Sequence, residues 1–137
     1  MNRENLKNYI YEKEWIKDRI KELEERKEIL NKLTATYGLN AGGSSEINDR
    51  VAEKLAILMD KTNEYVEVLD ELEKKLTNII EALNKMNNKL YRNILYKKYI
   101  LGVKMEEIAV SIEKDFKYTC TLHGYALNDF DKICEKF

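Results

Sequence analysis

Apolar residues recur along this chain in steps of four and three, the spacing that gathers them on one face of an α-helix. Ile16, Ile20, Leu23 and Leu30 follow that rule between Glu4 and about Thr36, with Lys27 interrupting the series. Leu6, Ile10 and Trp15 extend the same side toward the N-terminus. The pattern predicts a helix with one apolar stripe, stopped by Gly38 in a left-handed conformation and followed by the short loop GLNAGGSS at 38–45. Ser44 or Ser45 can then cap a second helix, whose Glu46 and Asp49 sit where the positive end of the helix dipole favours acids. Its stripe is the most regular in the chain: Val51, Leu55, Leu58, Thr62, Tyr65, Leu69, Leu72, Leu76, Ile79, Leu83, Met86 and Leu90 alternate four and three without a slip. That is a coiled-coil seam, and a helix from Glu46 to Met86 would be roughly 60 Å long.

A seam needs a partner, and the nearest in sequence is the first helix, folded back as an antiparallel hairpin. The first helix is the shorter, at roughly 50 Å, so part of the second seam is expected to stay uncovered unless another chain or the C-terminal segment packs there. Lys27 and Thr62 are polar seam positions, readable either as register setters or as tolerated interruptions. A two-helix hairpin has little interior. Self-association, a dimer first, is therefore expected through Leu55, Leu58, Tyr65, Leu69, Leu72, Leu76, Ile79 and Leu83.

The Asn pair at 87–88 can break the long helix and cap the next, which carries Leu90, Ile94, Leu95, Tyr99 and Leu101 on its apolar side and ends at Gly102. A short amphipathic piece follows, with Met105, Ile108, Ala109 and Ile112 on one side. Asp115 can cap a longer helix whose inward face carries Thr119, Leu122, Ala126, Phe130 and Ile133. Three helices with a short turn between the last two predict a helix-turn-helix. Ala109 is the small residue at the crossing, and Phe116, Lys117, Tyr118 and Thr121 lie on the outer N-terminal face of the second helix. The fold class is thus all-α, with a hairpin for oligomerisation over 1–86 and a helix-turn-helix over 87–137.

Composition supports this reading. Proline is absent and glycine occurs five times in 137 residues, which favours long helices over a turn-rich sheet protein. The net charge of −1 is unevenly spread: residues 1–84 hold 14 basic and 18 acidic side chains, residues 85–137 hold 10 and 7. The C-terminal third is mildly basic, as a nucleic-acid contact would want and as a solvated surface could also be. Two cysteines make no disulfide framework, and no leader or membrane-length apolar run appears, so a cytoplasmic location is expected.

The stretch YRNILYKKYILGVKMEEIAVSIEKDFKYTCTLHGYAL resembles the DNA-binding region 4 of sigma factors, and more closely the small phage regulators of the ArpU and RinA type. The matching residues are Leu95, Lys98, Tyr99, Ile100, Gly102, Glu107, Ile108, Ala109, Ile112, Leu122, His123, Gly124, Ala126 and Leu127. Three positions depart from the family pattern. Lys104 replaces a capping Ser or Thr, which costs about 1 kcal/mol. Glu113 stands where the turn usually has Gly, and Thr119 where Val or Ile fills the motif's core. The resemblance implies a phage or prophage regulator of late genes that binds double-stranded DNA and touches the host RNA polymerase.

Lys117 and Thr121 are the expected base readers beside Phe116 and Tyr118, while Arg92, Lys97, Lys98, Lys104 and Lys114 would meet phosphates. The tyrosines Tyr91, Tyr96, Tyr99 and Tyr118 interleave with Arg92, Lys97 and Lys98, a pattern helix amphipathicity alone would also produce. His123, the only histidine, is expected to pack or to contact the DNA backbone. Catalysis would need a Ser/His/Asp or Cys/His/Asn set, which no spacing indicates, so no enzyme, cofactor or metal is expected. Cys120 and His123 lie three apart and Cys134 further on, short of the four ligands of a structural zinc, and the cysteines read better as small buried hydrophobes. The acidic helices lack the Glu-x-x-His pairs of a di-metal bundle, and AGGSS lacks the lysine and strand of a phosphate loop. A small terminase subunit, which joins a similar motif to an oligomerising helix, and an adaptor whose degenerate motif grips a protein are the rival expectations.

Overall fold

The computed structural model describes residues 1–38 and 45–136 and is all-helical there. In chain order the elements are α1 (Arg3–Gly38), α2 (Ser45–Asn84), α3 (Lys89–Leu95), a π-helical turn (Tyr96–Ile100), α4 (Met105–Ser111) and α5 (Phe116–Glu135). Of the expected loop over 38–45, residues 39–44 lie outside the described residues, while Gly38 is the last residue of α1 and Ser45 the first of α2. Among the described residues no helix is long and apolar enough to cross a membrane.

The chain divides into two compact units: Glu14–Glu71, and Met1–Lys13 together with Leu72–Phe137. The sequence boundary between 86 and 87 falls at the break between α2 and α3, whereas packing assigns the start of α1 and the end of α2 to the unit that holds α3, α4 and α5.

In the Glu14–Glu71 unit, Arg19 stands 5.9 Å from the centre of the Tyr65 ring. Further along α1, Arg26, Ile29 and Leu30 line a groove with Lys54, Ile57 and Leu58. Rising positions on α1 therefore meet falling positions on α2. The α2 seam points inward throughout: Val51, Leu55, Leu58, Thr62, Tyr65 and Leu69 are half-buried between exposed neighbours. Thr62 solves its own hydroxyl by donating to the Leu58 carbonyl at 2.8 Å. On α1, Ile16 and Leu23 are buried, and Ile20, Lys27 and Leu30 half-buried. Trp15 is a correction to the expected stripe, since it is 63% exposed. One residue before Ile16 lies about 100° round the helix, which carries the indole off the inward face.

The other unit holds the larger core. Leu6 and Tyr9 of α1 are buried, as are Leu72, Ile79, Ala82, Leu83 and Met86 of the segment that includes the end of α2. Ile94, Ile108 and Leu122 form a fully apolar cluster ringed by Leu90, Tyr91, Val103, Met105 and Ile112, which joins α3, α4 and α5. Asn88 caps α3, its side chain accepting from the amides of Leu90 and Tyr91 at 3.0 and 3.2 Å. The expected helix to Gly102 ends differently: α3 widens into the π turn, Leu101 falls after it and is exposed rather than on the apolar face, and Gly102 follows with φ 71°. That left-handed backbone suits a residue without Cβ.

The N-terminus of α1 is fastened to α5. The Arg3 amide and Nε both donate to the Asp131 carboxylate, at 2.8 and 2.6 Å, and an Arg3 guanidinium NH2 donates to Asn128 Oδ1 at 2.6 Å. Lys75 and Glu12 add an exposed ion pair at 3.3 Å.

Candidate functional site

The residues singled out by sequence gather best where α4 turns into α5. Ile108 and Ala109 are the buried residues of α4, and the Ser111 hydroxyl closes its last turn by donating to the Ile108 carbonyl at 2.7 Å. Lys104 precedes α4 without any side-chain cap, and Glu113 adopts φ 58° in the following turn. Both positions are local weak points that the sequence already marks.

Asp115 caps α5 by accepting from the Tyr118 amide at 2.6 Å. The first turn is thereby fixed, and its side chains divide cleanly. Thr119 is fully buried, its hydroxyl donating to the Asp115 carbonyl at 2.8 Å, and Leu122 and Ala126 continue inward. Lys114, Phe116, Lys117, Tyr118, Cys120 and Thr121 are exposed. Gly124 lies beyond them, and a Cβ built there would meet nothing within 4 Å.

The flanking cations are more scattered. Lys97 Nζ donates to Ser111 Oγ at 2.9 Å, which ties the π turn to α4. Arg92 instead lines a groove with Ile80, Leu83, Asn84, Lys89, Asn93 and Tyr96, on the α2 side of α3. Lys98 is half-buried, with Nζ 5.9 Å from the Tyr99 ring centre. Lys104 is exposed.

His123 takes part in a different arrangement. Its Nε2 and the Tyr99 hydroxyl share a hydrogen bond of 2.7 Å, and the two rings lie 5.7 Å apart. Burial lowers the His123 pKa to about 4, helped by repulsion from Lys98, Lys7 and Arg3. Burial likewise raises the Tyr99 pKa to about 12, with Tyr11 adding to the effect. At neutral pH both rings are uncharged, and the bond direction depends on the imidazole tautomer. Of the two expected roles of His123, packing against Tyr99 is the one formed within the chain.

Cys134 is buried, as expected of a small hydrophobe, but Cys120 is exposed and corrects that expectation for itself. Burial raises the Cys134 pKa, holding the thiol protonated. Among the described residues no three His, Cys, Asp or Glu side chains are grouped to hold a metal ion. Sequence reasoning missed the positive charge that Arg3 and Lys7 bring to His123, because it arrives from the other end of the chain.

Comparison with protein-family models, with curated proteins and with solved structures finds no match to this chain.

Proposed function

We propose that this chain is a phage or prophage transcriptional regulator that binds double-stranded DNA and catalyses no reaction. In this reading residues 87–137 act as a helix-turn-helix similar to sigma-factor region 4, and the long helices pair as a coiled-coil hairpin that supports self-association. The observation that carries it is the division of α5: its capped first turns expose Phe116, Lys117, Tyr118 and Thr121 while Thr119, Leu122 and Ala126 are buried. A recognition helix presents its N-terminal residues to the major groove in this way. Lys104 and Lys114, with Arg92, Lys97 and Lys98 as flanking charges, would supply contacts to phosphate that fix the docking without reading sequence. By resemblance, the targets are late phage genes and the host RNA polymerase is a further partner. The setting is the bacterial cytoplasm.

An adaptor role is the second reading, favoured by the apolar character of the same surface. Val110 is 78% exposed, and Phe116, Tyr118 and Tyr125 are about half exposed, close in sequence to the exposed acids Glu106, Glu107 and Glu113. Titration of random-sequence duplex DNA over a range of salt separates the two. The DNA reading expects affinity that falls steeply with salt, log K changing by roughly 0.9 per phosphate contact for each unit of log salt. No binding even at low salt would leave the adaptor.

A further inference from the structure

The seam of α2 is half-buried within a single chain over 51–69, so a second copy must use another side of the helix. Lys54, Ile57, Lys61, Glu64, Val68 and Glu71 form that side, a second stripe spaced three, four, three, four, three. All six are exposed, Ile57 and Val68 at 48% each. Its chemistry runs base, apolar, base, acid, apolar, acid.

The order is self-complementary only when reversed. Turned antiparallel about a two-fold axis between 62 and 63, Lys54 meets the partner's Glu71, Ile57 meets the partner's Val68, and Lys61 meets the partner's Glu64. A parallel pairing in register would set each charge against its like. The surroundings match as well. Ile57 borders the groove made with Ile29, Leu30 and Leu58, edged by Arg26 and Lys54, whereas Val68 stands among Glu64, Glu67, Asp70 and Glu71. A basic-edged apolar groove thus fits an acid-edged apolar side chain, and the two-fold axis makes the fit twice.

We propose that two copies of the chain associate antiparallel through this flank of α2, the Val68 side chain of each seated beside Ile57 of the other. The proposal specifies the self-association included in the functional reading above, and its geometry does not depend on DNA binding. The strip spans about 26 Å, a modest contact, so association belongs at micromolar concentrations rather than lower ones.

Sedimentation equilibrium of the full chain without DNA tests it. The wild type is expected to be a reversible dimer at tens of micromolar. K54E and E71K should each weaken dimerisation about tenfold or more, because every reversal creates two like-charge contacts across the axis. Positions 54 and 71 lie about 26 Å apart on one helix and do not meet within a chain, so the double variant K54E/E71K should restore the dimer. Circular dichroism should show the same helicity for all four proteins. A monomeric wild type, an assembly larger than a dimer, single reversals without effect, or a double variant no better than the singles would overturn the proposal. Loss of DNA binding with this pattern intact would count against the functional reading alone.

Discussion

His123 provides the cleanest perturbation, because it is the only histidine in the chain and its environment disfavours the proton on every side. Its folded pKa is lowered from 6.5 to about 4, first by burial and then by Lys98, Lys7 and Arg3. A depressed pKa means that the unfolded chain takes up the proton first as pH falls. The stabilisation from the neutral ring is therefore complete above about pH 6.5 and is lost progressively toward pH 4, where the folded ring also titrates. The full shift corresponds to roughly 3 kcal/mol; because the ring is only half-buried, solvent screening reduces the expected loss to about 1–2 kcal/mol. NMR gives the direct assay, since one imidazole signal reports one site. Urea unfolding of the wild type and H123Q between pH 7 and 4.5 gives the energetic one, and their difference removes the carboxylates common to both. The stability advantage of the wild type over H123Q should shrink across that window. An imidazole that titrates at or above 6.5, or a constant difference between the two proteins, would refute the reasoning.

Other predictions concern the ends of helices. Lys104→Ser gives α4 the side-chain cap it lacks and should stabilise the fold by about 1 kcal/mol in thermal or urea unfolding. Glu113→Gly should be stabilising or neutral, within about 1 kcal/mol, since relief of the left-handed strain at φ 58° is offset by greater freedom in the unfolded chain. Asp131→Ala should cost more than Arg3→Ala, about 2 against about 1 kcal/mol, because the carboxylate accepts from both the Arg3 amide and its side chain; equal losses in urea unfolding would deny the amide contact any weight.

The helices were legible because each rests on local chemistry. The four-three spacing of α2 names every half-buried and buried seam position from Val51 to Met86. Asn88 and Asp115 announce themselves as caps, and Gly102 as the end of the third helical run. The packing of Ile108, Ala109 and Leu122 also follows from spacing. Less visible were features that need two distant parts of the chain. Arg3 meets Asp131 across 128 positions and Tyr99 meets His123 across 24, and no periodicity carries such information. Tyr9 was missed for a related reason, since its buried ring lies off the series of aliphatic residues used to trace α1. The π turn has no compositional signal: Tyr96–Ile100 continues the apolar pattern of α3, and only the wider backbone spacing distinguishes it.

In the proposed function the exposed N-terminal face of α5 reads DNA. Genomic SELEX with the purified full chain at low and moderate salt, using host and prophage DNA, tests it most directly when repeated with Lys117→Ala/Thr121→Ala. An enriched motif upstream of a late operon is expected for the wild type, and a loss of roughly 1–3 kcal/mol per base contact for the variant on that site. Binding without any enriched motif, or an enriched site that the variant holds equally well, would contradict it.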